Sequence, residues 1–162
     1  MSTHIILAIL AGLPLLLITL LRVKPLYVFV SIVTGYFWMT FLGEPAELVL
    51  RSFIRIDQPA TVANVVLLLI PFILTLYLMK KTLSTNALPF QFFLLVANSI
   101  LLLTFLLPIL TPGVQGAIYE TNAGSVLRQA HDTLIAGIAG LHVLVMWVMR
   151  PKHHGPTGKK RH

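Results

Sequence analysis

His142 is the residue whose type and position most invite chemistry, because it is the only ionisable group well inside an uncharged stretch of this sequence. A polar group at membrane depth is costly enough to be weighed for a role. Counted from the ends of their apolar stretches, His142 lies seven residues before Met149, Asn98 nine after Pro89 and Thr34 nine after Pro25. At about 1.5 Å per residue these depths differ by only a few Å. Together with Tyr36 and Ser99 they make a predicted polar layer of Thr34, Tyr36, Asn98, Ser99 and His142, if the helices that carry them are neighbours. One reading of that layer is structural, with a neutral His142 held by one hydrogen bond. The other is functional, with His142, and Asn98 beside it, contacting haem or quinone or relaying protons.

The functional reading is short of partners. A bis-histidine haem needs two imidazoles on opposite sides of the macrocycle. His131 shares a helix face with His142 but is eleven residues away, about 16 Å along a helix axis, and His4 belongs at the same surface as His131. A ligand from another subunit would be required. Proton paths usually need a carboxylate or a chain of titratable groups, and apart from Asp132 at the very start of 131–149 no Asp, Glu, Lys or Arg lies within an apolar stretch. The absence of cysteine excludes disulfides, thiolate metal sites and thiol catalysis. His153, His154 and His162 lie in a Lys- and Gly-containing tail with no fixed geometry, which is weak support for a metal. The residues therefore predict no catalytic group, no metal and no cofactor held by this chain alone.

The elements that must position His142 are membrane helices. A chain with 57% apolar and 10% charged residues has too little polar surface for water. Its net charge of +7 falls in short clusters between apolar stretches, which argues against nucleic acid. Five stretches, 4–21, 25–42, 61–79, 89–110 and 131–149, are nearly free of charge. A hydrocarbon core of about 30 Å needs roughly 20 helical residues, so each can cross with its flanking turns. The first has no basic leader and no small-residue cleavage site, and reads as an uncleaved helix. The predicted fold is an all-α, polytopic membrane bundle: residues 1–150 form one domain of five transmembrane helices, and 151–162 form a basic cytoplasmic tail.

Charge sets the orientation. Arg22, Lys24, Lys80, Lys81, Arg150, Lys152, Lys159, Lys160 and Arg161 fall in alternate connections and the tail, with no acid among them. The other connections hold all five acids, Glu44, Glu47, Asp57, Glu120 and Asp132, with Arg51, Arg55 and Arg128. The positive-inside rule puts the first set in the cytoplasm, hence the N-terminus outside, in a plasma membrane of the bacterial inner-membrane kind. The tail is expected to be attracted to anionic lipid.

Several local features refine this picture. Glu47, Arg51 and Arg55 at successive i, i+4 spacings suit a short interfacial helix over 45–56, the alternative being a packed loop. Residues 111–125, rich in Gly, Pro, Thr and Asn, predict an ordered loop, and Arg128 with Asp132 predicts that the last helix starts before it enters the membrane. Pro14, Pro71 and Pro108 are expected to kink their helices. Val49 to Arg51 repeats as Val126 to Arg128, a remnant of a parallel repeat or a coincidence. Ala136, Gly137, Ala139 and Gly140 provide small residues for close helix packing, either within the bundle or as a seam for another subunit. From Phe41 to Leu110, hydropathy and loop lengths resemble the colicin V production family of small bacterial membrane proteins. That resemblance covers less than half the chain and implies an inner-membrane protein with an export or envelope role. The residues themselves favour a non-enzymatic structural, assembly or accessory subunit with other membrane proteins as partners, over a redox or transport component.

Overall fold

The computed structural model describes residues 3–53, 57–82 and 88–148, and these are helical with short connections. The elements are α1 (Thr3–Leu21), α2 (Pro25–Phe53), α3 (Pro59–Leu78), α4 (Leu88–Leu106), a 3₁₀ turn (Leu107–Ile109), α5 (Pro112–Tyr119), α6 (Asn122–Gln129) and α7 (His131–Val148). No strand occurs among the described residues. Pro25, Pro59 and Pro112 open their helices, where a missing N–H costs nothing.

Among the described residues, three helical stretches are long and apolar enough to cross a membrane: α2, α3, and Gln91–Ile109 of α4 with its 3₁₀ turn. A fourth arises if α6 and α7, bent by 74° where they meet at Ala130, count as one. This is fewer than the five expected. The other two expected crossings are at the two ends of the chain, α1 and α7, of which the fully described residues supply Ala8–Leu21 and His131–Trp147.

α4 is the centre of the bundle and packs against α1, α2 and α7. Its residues Leu101 to Leu107 are buried in an unbroken run, so neighbours surround that segment on every side. Thr104 in the run satisfies its hydroxyl by donating to the Ile100 carbonyl at 2.8 Å. The main core joins Ile18, Val28, Ile32, Leu68, Phe72, Leu95, Leu101 and Phe105 from the first four helices, with Ile138 from α7.

α2 and α3 form the closest helix pair. A Cβ on Gly35 would overlap the backbone carbonyl of Leu68, so the two backbones meet there, and only glycine permits it. Two turns further on, a Cβ on Gly43 would come within 2.6 Å of Asn64 Oδ1.

Five local expectations are corrected. α2 does not stop near Leu42 and give way to a separate interfacial helix; it continues through Pro45 to Phe53. The pair of Glu47 and Arg51 forms on this extension, while Arg55 lies outside the described residues. Residues 111–125 are not a loop. Pro112 starts α5, and the Thr121 hydroxyl caps α6 by accepting from Gly124 N at 3.0 Å. Arg128 does not pair with Asp132: its guanidinium lies 5.5 Å from the centre of the Tyr119 ring, and Asp132 instead accepts from His131. The last helix breaks at Ala130 rather than running continuously. Pro14 and Pro71 do sit inside α1 and α3, but Pro108 lies in the 3₁₀ turn that ends α4. The two Val-Leu-Arg triplets fall in unlike places, the end of α2 and the short α6.

Candidate functional site

α7 turns Ile138 and His142, one helical turn apart, toward the core. The His142 ring stacks on Phe29 of α2, with centroids 4.3 Å apart and planes 16° from parallel. Its Nδ1 lies 2.9 Å from the Ile138 carbonyl oxygen. A carbonyl only accepts, so Nδ1 carries the proton and, in the neutral ring, Nε2 presents a lone pair. That Nε2 is buried and has no hydrogen-bond partner among the described residues.

Asn98 reaches the same part of α2. Its Nδ2 donates to the Pro25 carbonyl at 2.8 Å, one turn before Phe29, while its buried Oδ1 has no partner among the described residues. The hydroxyl of the neighbouring Ser99 and Oε1 of Gln91 are likewise buried without partners among the described residues. Each such atom costs about 1–3 kcal/mol relative to a satisfied one. A group that donates a hydrogen bond to Nε2 or Oδ1 would therefore be favoured there.

The predicted layer does not close into a network. Thr34 donates back to the Val30 carbonyl at 2.8 Å, a local bond that needs no neighbouring helix. Tyr36 is partly exposed and stacks on Phe105, with centroids 4.3 Å apart. Asn98 is opposite Pro25 and not Thr34, so α4 is displaced along α2 by nine residues from the register that equal counting implies, or about 13 Å. The structure groups His142 and Asn98 around the first turns of α2, and leaves Thr34 and Tyr36 apart from them.

The small residues of α7 sit differently from the internal-packing expectation. Ala136, Gly137 and Gly140 are exposed and Ala139 is half-buried. A Cβ on Gly137 or Gly140 would meet nothing within 4 Å among the described residues. The close-packing glycine that sequence reasoning missed is Gly35. Its signal was the eight-residue spacing to Gly43, which puts both on one face of α2.

Among the described residues, none near His142 supplies a second titratable group. His131 bonds Asp132 at the other end of α7. Among the described residues no three His, Asp or Glu side chains converge as a metal site would require. His153, His154 and His162, and the cations of the tail, lie outside the described residues. The site can offer one imidazole lone pair and one amide oxygen, enough to accept hydrogen bonds or give one ligand to a metal centre completed elsewhere. No protein-family model, no curated protein and no solved structure matches the chain. The likeness of Phe41 to Leu110 to the colicin V production family thus gains no support from a family match.

Proposed function

We propose that this chain is a non-enzymatic accessory or assembly subunit that docks onto another membrane protein through α7. The observation that carries this reading is the open small-residue face formed by Ala136, Gly137 and Gly140, where glycine leaves room for a helix backbone and no other described residue fills it. Exposed Val143, Leu144 and Trp147 continue the apolar surface of the same helix. Purification from mild detergent, with identification of co-purifying chains, tests it. Stoichiometric membrane partners support the reading, and a chain that purifies alone from its native membrane contradicts it.

The proposal includes five crossings, with the N-terminus outside and the tail in the cytoplasm of a bacterial inner membrane. It rests on the alternation of basic and acidic connections. It is also supported by the Lys81 N–H, which donates to the Leu21 carbonyl at 2.8 Å and so puts the end of α1 beside the turn that follows α3. Cysteine labelling is direct in a chain with no native cysteine. An impermeant reagent should modify a cysteine at Glu120 and spare one in the tail, and the reverse pattern would invert the topology.

A second reading is favoured by the unpartnered Nε2 of His142. In it, that lone pair accepts a hydrogen bond from a quinol or ligates a metal centre shared with the partner. The absorption spectrum of the purified complex separates the two: a haem band or bound quinone lost in His142→Asn favours the second reading.

A further inference from the structure

Two turns distant in sequence are fastened together at one end of the bundle. The Lys81 N–H donates to the Leu21 carbonyl at 2.8 Å, and the Lys24 N–H donates to the Thr82 hydroxyl oxygen at 3.1 Å. Thr82 in turn donates to the Met79 carbonyl at 2.7 Å, which fixes its orientation. These bonds place Arg22 and Lys24 of one turn against Lys80 and Lys81 of the other, and all four are exposed. None is paired with a carboxylate among the described residues, and residues 79–87 contain no acid.

The arrangement is costly in two ways. Arg22 and Lys81 adopt left-handed backbone, with φ of 51° and 62°. That region suits glycine, because a Cβ crowds the following carbonyl oxygen. Four like charges held together also repel in the absence of an anion. At Arg22 the left-handed backbone is that of a helix stop: its N–H donates to the Thr19 carbonyl and the Val23 N–H to the Ile18 carbonyl, both at 3.3 Å, so the end of α1 itself fixes where this cation sits. Tyr27 and Tyr77 flank the cluster with exposed rings, and Lys80 Nζ lies 5.1 Å from the centre of the Tyr77 ring. Exposed tyrosines beside cations at the end of apolar helices match the headgroup level of a bilayer.

We infer that the clasped turns form a phosphate site for an anionic phospholipid headgroup, with Arg22, Lys24, Lys80 and Lys81 as its cations and Thr82 holding the two turns in register. The inference rests on the membrane embedding of the chain and not on the identity of any protein partner. It differs from loose attraction of the tail, because the cluster is set by backbone hydrogen bonds and would bind without residues 151–162.

The test is native mass spectrometry of the full chain released from nanodiscs of phosphatidylcholine with phosphatidylglycerol. The chain should retain phosphatidylglycerol in preference to phosphatidylcholine. Lys24→Gln and Lys81→Gln should each weaken retention about fivefold, and the pair about thirtyfold. Thr82→Val should weaken it while leaving every charge in place, and truncation after residue 150 should leave it intact. Equal retention of the two lipids, or loss caused by truncation alone, would overturn the site. Full displacement by millimolar inorganic phosphate would overturn the lipid assignment in favour of a soluble anion. Failure to enter nanodiscs at all would instead defeat the membrane reading beneath it.

Discussion

α2 and α7 both carry glycines, and they use them in opposite ways. On α2, Gly35 lets the backbone touch the Leu68 carbonyl of α3, and the contact is internal and filled. On α7, Gly137 and Gly140 look onto open space while Ile138 and His142 hold the helix to the core. Small residues in an apolar helix thus mark close approach in one place and an unfilled surface in another. Spacing alone does not tell them apart. What does is the neighbour: α2 lies along α3 over much of its length, whereas α7 meets the bundle chiefly along α4.

The contrast can be broken most forcefully at Gly35. Gly35→Leu should force α2 and α3 apart and lower stability by about 3 kcal/mol, the upper end of overpacking costs. Gly35→Ala should cost less but still measurably, since the atom it meets is backbone and cannot swing aside. Thermal unfolding in one detergent ranks the two, and a Gly35→Leu variant as stable as wild type would refute the close contact. Gly43→Ala should be milder, under about 1 kcal/mol, because the neighbour is the end of the Asn64 side chain, which can rotate.

A smaller effect is expected at His142. His142→Asn should change stability by about 0.6 kcal/mol, the average for polar contacts between transmembrane helices. His142 and Asn98 use different carbonyls, of Ile138 and Pro25. His142→Leu and Asn98→Leu should accordingly add to within about 0.5 kcal/mol. A larger coupling in the double-mutant cycle would reveal a shared link between Nε2 and Oδ1. Loss of the host complex's activity in His142→Asn, with stability kept, would move His142 from a structural to a functional role.

Much of the helical layout was legible from hydropathy because charge-free stretches in this chain are long and bounded. The stretch 61–79 and α3, Pro59–Leu78, differ by two residues at one end and one at the other. The Glu47–Arg51 pair was legible from spacing alone. Depth was not. Counting nine residues from Pro25 and from Pro89 assumes that α2 and α4 start level, but the turn before α2 is Arg22–Lys24 while residues 79–87 precede α4. The unequal connections leave register free, and the Asn98–Pro25 bond records where packing set it. The hydroxyl of Thr34 was read as seeking a partner, when a helix always offers one in the carbonyl four residues back. The helices in 111–125 were hidden by their Gly and Thr content, although Thr111-Pro112 and Thr121 are starting signals in their own right.

The smallest change in the chain's own stability should come from α7. Gly137→Ala with Gly140→Ala should leave the isolated chain unchanged or stabilise it, since each alanine lowers the backbone entropy cost in a helix by about 0.5–1 kcal/mol and meets no neighbour. The decisive measurement extends this to Gly137→Leu with Gly140→Leu, scored for unfolding of the purified chain and for partners that co-purify from native membranes. Melting as in wild type with loss of the partner is the predicted result. A destabilised chain, or a variant that keeps its partner, would contradict the assignment of this face to docking.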